Sequence, residues 1–148
     1  MVLGAPLEAR AAEHYLVLGP SAAFIAGGGL DAAPAVSLDL TYGYVNRWPI
    51  FWASLGCRFA VRADPIVLPY AEVGASLPFN LGLGYSAAFG ATEEIGHHFF
   101  HLFVGAPIPI FYFSPAVPLL IEPYYRPAFG KEVVHEAGLL VKYLIPVN

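Results

Sequence analysis

Ala35-Val36-Ser37-Leu38-Asp39-Leu40-Thr41-Tyr42-Gly43-Tyr44-Val45 is the stretch on which the fold turns. Its large apolar side chains, Val36, Leu38, Leu40, Tyr42 and Tyr44, occupy every second position, with Ser37, Asp39, Thr41 and Gly43 between them. Successive side chains of an extended strand point to opposite faces, so a period of two produces one greasy face and one small or polar face. The following segment repeats the division, with Phe51, Ala53, Leu55, Cys57, Phe59 and Val61 against Trp52, Ser54, Gly56, Arg58, Ala60 and Arg62. Ala71, Val73, Ala75 and Leu77 then oppose Tyr70, Glu72, Gly74 and Ser76, and Leu81, Leu83, Tyr85, Ala87 and Phe89 oppose Gly82, Gly84, Ser86 and Gly90.

Working outward from these four strands, less regular ones are predicted at His14 to Ile25, Phe99 to Tyr112, Val117 to Pro127 and His135 to Pro146, which makes eight. Prolines 20, 107, 109, 118 and 123 fall inside the weaker segments, where each removes a ladder donor and marks an edge or a bulge. Asn46-Arg47 and Pro78-Phe79-Asn80 read as tight turns. Ala26 to Pro34, Ala91 to His98 and Ala128 to Val134 read as longer loops, with Gly27-Gly28-Gly29 a flexible tip. Short turns at one end and longer loops at the other are the pattern of a transmembrane barrel, the short turns being periplasmic. The aromatic residues divide the same way. Tyr42, Tyr44, Trp48, Phe51, Phe79, Tyr112 and Tyr143 are expected near the short-turn end and Phe24, Phe89, Phe100, Tyr125 and Phe129 near the other, as two girdles at the membrane interfaces.

Composition points the same way. The 148 residues have room for a single domain, and with 57% apolar and only 12% charged residues they could barely cover a water-facing surface, for which about a quarter charged is ordinary. A net charge of -4 and the absence of a Lys/Arg cluster leave no footprint for nucleic acid. The lone Cys57 can form no internal disulfide and no cysteine-based metal site. His101 to Ile121 is long enough to cross a bilayer as a helix, but Pro107, Pro109, Pro115 and Pro118 break it. Near the start, Ala9-Arg10-Ala11 has the small-x-small pattern of a signal-peptidase site. Residues 1–12 therefore read either as the remnant of a signal peptide or as a frayed N-terminus.

A soluble ligand-binding barrel also alternates, with its apolar side chains inside. The polar face separates the two readings. It consists of glycines and serines with isolated charges at Asp39, Arg58, Arg62, Glu72, Glu122, Arg126 and Lys142, whereas a solvated exterior carries charged residues along every strand. This face suits a crowded lumen, and charges enclosed there must pair, because an unpaired buried ion costs several kcal/mol. Arg58 with Glu72, and Glu122 with Arg126 and Lys142, are the expected partners.

These features together resemble the small outer-membrane barrels of Gram-negative bacteria, the group that includes the OmpA transmembrane domain and OmpX. The likeness runs from His14 to Val147. The segment Glu136-Ala137-Gly138-Leu139-Leu140-Val141-Lys142-Tyr143 looks like the assembly signal of such proteins, although their usual terminal aromatic is replaced by the extension Leu144 to Asn148. The resemblance implies an all-β, closed, antiparallel, up-and-down transmembrane β-barrel of about eight strands in the outer membrane. It also implies contact with membrane lipid, insertion by the outer-membrane assembly machinery, a monomeric state and no cofactor.

Some barrels of this size act on lipid A, and the deacylase type carries His-x-Ser near its C-terminal strands. None of His14, His97, His98, His101 and His135 is followed two positions later by serine, so no nucleophile is visible and the chain is expected not to be an enzyme. His97, His98 and His101, with Glu93 and Glu94, match no standard metal spacing and read as ordinary interface or loop histidines. The expected role is structural or interactive, with a charged lumen filled by side chains. A narrow channel or small-ligand binder is the alternative, and a soluble lipocalin-like barrel stands third.

Overall fold

The computed structural model describes residues 14–44, 50–90, 96–109 and 119–147. Eight long strands follow one another: β1 (His14–Gly27), β2 (Leu30–Tyr44), β3 (Ile50–Ala60), β4 (Ile66–Ser76), β5 (Asn80–Ala87), β6 (His98–Gly105), β7 (Leu119–Phe129) and β8 (Val133–Val147). Two short ladders, Phe89–Gly90 on β4 and Ile108–Pro109 on β7, continue β5 and β6. Each strand pairs antiparallel with the next, and β8 pairs with β1, which closes an up-and-down barrel. Closure leaves no row of unpaired backbone groups, the condition under which a sheet can sit in hydrocarbon.

The parity read from the alternation is the parity of the structure. Leu38, Leu40, Leu55, Phe59, Val73, Leu83, Tyr85 and Leu139 all face outward, Leu55 with 65% and Leu83 with 62% of its surface exposed, and Val141 is half-buried. A water-soluble barrel would enclose these side chains. Along the described strands, no Asp, Glu, Lys or Arg stands on the outer parity, so the exterior is an apolar wall for lipid and the lipocalin-like reading is excluded.

Aromatic side chains gather at both rims. Phe24, Phe89, Phe100, Tyr125 and Phe129 are exposed toward the end bearing the β1–β2 turn, and Tyr42, Phe51, Phe79 and Tyr143 toward the other. Tyr44 is half-buried, and Trp48 and Tyr112 lie outside the described residues. Three outer tyrosines each hydrogen-bond the Nδ1 of a histidine two positions along on the neighbouring strand: Tyr42 with His14 at 2.5 Å, Tyr85 with His98 at 2.5 Å and Tyr125 with His135 at 2.6 Å. Diagonal cross-strand neighbours are within reach of rings of this size. Each pair presents an amphipathic patch of the kind that suits the headgroup level.

The connections differ from the expectation. The predicted long loop from Ala26 to Pro34 is a two-residue turn. Gly28 and Gly29 both take positive φ (61° and 79°), the geometry of a tight hairpin, so β1 and β2 run up to it and Phe24 pairs with Pro34. The Ala128 to Val134 loop likewise shrinks to residues 130–132. Between β6 and β7 the described residues are 106–109, of which Ile108–Pro109 pair with β7, and residues 110–118 lie outside the described residues. Among the described connections, 28–29, 61–65 and 130–132 at one end and 77–79 at the other, length does not distinguish the two ends. The Asn46-Arg47 turn falls outside the described residues.

Inside, two apolar layers enclose a polar one. Ile25, Ile66, Leu68, Phe99 and Val134 pack beneath the β1–β2 turn, and Ala23, Phe103, Tyr124 and Leu140 pack with Trp52 farther down. Replacing Leu55, at mid-strand on the outer face, by Arg should lower the unfolding free energy in lipid vesicles by about 2–4 kcal/mol, and replacing Phe51, near the strand end, by about 0–1 kcal/mol. Equal and negligible costs at both positions would contradict lipid contact.

Candidate functional site

Between the apolar layers every strand contributes to one polar network. Arg126 on β7 lies at its centre with 1% of its surface exposed. Its Nε meets Glu72 Oε1 on β4 at 2.5 Å and its Nη1 meets Glu136 Oε1 on β8 at 2.8 Å. Arg58 on β3 donates from Nη1 to the other oxygen of Glu136 at 2.6 Å, and Tyr124 donates its hydroxyl to Glu136 Oε1 at 2.6 Å. Glu72 also contacts His101 Nε2 on β6 at 2.9 Å. The guanidinium groups of Arg58 and Arg126 lie 4.2 and 4.8 Å from the centre of the Tyr70 ring, whose hydroxyl donates to Asp39. Ser37 also donates to Asp39, Ser37 and Ser21 share a hydrogen bond of 2.6 Å, and Ser86 on β5 reaches His101 Nδ1 at 3.4 Å. Two arginines thus face two glutamates with their charges balanced, which is what makes burial of four ions tolerable.

A second pair lies farther down, where the half-buried Lys142 meets the buried Glu122, and Asn80 Nδ2 donates to Glu122 at 2.5 Å.

Six of the seven charged residues singled out from the sequence, Asp39, Arg58, Glu72, Glu122, Arg126 and Lys142, point inward. Arg62 does not belong to the network. It follows β3 in the connection at residues 61–65 and stands half-buried at the barrel mouth. The expected Arg58–Glu72 pair is also absent. In the β3–β4 register Arg58 lies opposite Leu68 and Glu72 opposite Ser54, four residues away, and at about 3.3 Å per residue the two groups are too far apart along the barrel. Arg58 reaches across the interior to Glu136 instead, and Glu72 takes Arg126. Glu136, His101, Tyr70 and Tyr124 are partners of the charged groups that the sequence-derived set lacks. Glu136 has the same strand parity as Lys142 and His101 the same parity as Phe99 and Phe103, so the signal existed in the alternation.

Glycine makes these long reaches possible. Asp39, Gly56 and Tyr70 lie in one register row across β2, β3 and β4, and a Cβ on Gly56 would fall 2.5 Å from the Tyr70 hydroxyl and 2.7 Å from Asp39. Glu72, Gly84 and His101 form the same kind of row across β4, β5 and β6, with a Cβ on Gly84 falling 2.5 Å from His101 Nε2. Trp52 lies over Gly74 and Gly82 to meet Phe103 edge-on, with ring centres 5.8 Å apart. In each row an empty position lets two side chains from non-adjacent strands touch.

Ser86, His101 and Glu72 stand in the order hydroxyl, imidazole, carboxylate, which no His-x-Ser search could find because the three come from three strands. All three are buried; Glu72 lines the lower of two interior cavities, together with Arg126 and Lys142, and Ser86 and His101 line neither of those two. The described residues include no His/Cys/Asp/Glu cluster able to hold a metal.

A closed eight-stranded barrel with a lipid-facing exterior and an ion-paired interior defines the class of small outer-membrane β-barrels. Two solved structures share this fold with the chain. Neisserial surface protein A (NspA) matches with a TM-score of 0.54 and 14% identity over 91% of this chain and 97% of its own. The outer membrane enzyme PagL matches with a TM-score of 0.57 and 16% identity over 87% and 99%. No protein-family model and no curated protein matches. The likeness is one of fold, and it corrects one expectation. An outer-membrane enzyme is built on this same fold, so the lack of a His-x-Ser motif does not exclude catalysis, and the reading of the chain as a non-enzyme is withdrawn.

Replacing Arg126 by Leu leaves Glu72 without its arginine and Glu136 with only Arg58. The loss should be about 3–5 kcal/mol in urea unfolding from lipid vesicles. Gly84→Ala, which drives a methyl group into the Glu72–His101 contact, should cost about 1–3 kcal/mol in the same assay. Gly43→Ala, whose Cβ would have only Phe51 O at 4.0 Å, should cost much less. Equal costs for the two glycines would remove the spatial role given to Gly84.

Proposed function

We propose that this protein is a structural or interaction component of the outer membrane, a monomeric barrel inserted by the outer-membrane assembly machinery and plugged by its own side chains. The observation that carries this reading is the burial of Arg126 between carboxylates of β4 and β8, a bridge across the interior that stands where a conducting path would have to run. Eight strands enclose an interior that side chains can fill, as they do here with two apolar layers and the ionic layer between them. Contacts with other molecules then fall to the outer wall and to the rims, where Arg62, Asp64, Lys131 and Glu132 stand outside the strands. In planar bilayers the purified protein should show no stepwise conductance at neutral pH. Steady single-channel steps that disappear when the interior is made bulkier, as in Ser54→Trp, would favour a channel and overturn the plug.

A further inference from the structure

The barrel end bearing the β1–β2 turn opens into a narrow cavity with apolar walls, among them Ile25, Ile66, Leu68, Phe99 and Val134. Arg58 lines it and Arg62 stands at its rim. The Arg58 guanidinium is only partly used. Nη1 holds Glu136 and one face lies over Tyr70, whereas Nε and Nη2 are buried and have no hydrogen-bond partner among the described residues. These two nitrogens form the side edge of the guanidinium, a parallel donor pair whose spacing matches the two oxygens of a carboxylate. Leaving buried donors unsatisfied is costly, so the edge is a standing attraction for an acceptor. The charges of the lining do not by themselves select an anion, since Arg58 and Arg126 are matched by Glu72 and Glu136 and Arg62 by Asp31; the selection falls to the unused edge of Arg58.

We propose that this mouth binds a small amphipathic carboxylate, with the head group on the side edge of Arg58, Arg62 assisting at the rim and a linear hydrocarbon part against the apolar walls. A linear chain suits the narrow space, and a planar carboxylate satisfies the fork with a single charge. The proposal goes beyond the structural role given above and stands without it.

The test is titration of hexanoate into the ¹⁵N-arginine-labelled full chain in lipid nanodiscs at constant ionic strength, following the Arg58 Nε–H resonance. Hexanoate should shift this resonance saturably, with hexanol and inorganic phosphate at least tenfold weaker, the hexanol difference being that of one lost charge-assisted pair. Ala60→Phe, which fills the cavity and leaves Arg58 and Glu136 in place, should weaken hexanoate at least tenfold, and Arg62→Gln severalfold. Should Ala60→Phe fail to fold, Ile66→Phe on the facing strand serves the same purpose. Absence of a saturable shift, an equal response to hexanol or phosphate, or unchanged binding in the cavity-filled variant would each overturn the proposal.

Discussion

A guanidinium without access to water must find its anions inside the protein, and the placement of Arg126 governs much of what surrounds it. Glu136 is its register partner on the neighbouring β8, whereas Glu72 comes from β4, three strands away around the ring, so the second contact ties together walls that the backbone ladder joins only through β5 and β6. Satisfying those carboxylates draws in Arg58, His101 and Tyr124, and the two arginine faces in turn pack on Tyr70. Each member is tolerable in the interior only because the others are present. Removing one therefore costs more than the worth of a single contact, while the net stability of the complete set, set against a well-packed apolar core, can be small.

Space and charge are solved together. Large or charged inner residues cannot all occupy adjacent positions on a narrow inner surface, and the glycine rows resolve the crowding by leaving the intervening strand bare. Gly56 lets Asp39 meet Tyr70, Gly84 lets Glu72 meet His101, and Gly74 with Gly82 makes a floor for Trp52. Glycine in a strand ordinarily weakens it. In this barrel the loss is offset by contacts that only a missing side chain permits, and the closed ladder holds the backbone in place.

The exterior obeys a simpler rule. Lipid asks of it only apolar surface at mid-height and amphipathic rings at the rims, and the three diagonal tyrosine–histidine pairs meet the second demand with partners supplied by neighbouring strands. The similarity of fold to NspA and PagL at 14% and 16% identity agrees with so loose a requirement, because many apolar sequences can line the same wall. Individuality lies in the inner face and at the mouths.

Strand parity is local: from Val36 to Tyr44 or from Leu81 to Tyr85 the alternation alone determines which side chains face lipid, and eight alternating segments with few charges determine a membrane barrel rather than a soluble one. The same parity marked six of the charged residues, and applied to the ends of β6 and β8 it would have added His101 and Glu136 as well. Pairing was not legible, because it depends on register and on closure. Arg58 and Glu72 share a face on neighbouring strands yet lie four residues apart in the ladder, and Glu136, far along the chain, comes within 2.6 Å of Arg58 only when the sheet curves shut. The turn lengths were misread for a related reason, since glycines 27 to 29 look like slack in a sequence and become a tight hairpin once the flanking residues find partners. The sequence by itself determined the two faces, a property of consecutive residues; the tertiary structure alone decided the partners, a property of how eight strands are staggered around a ring.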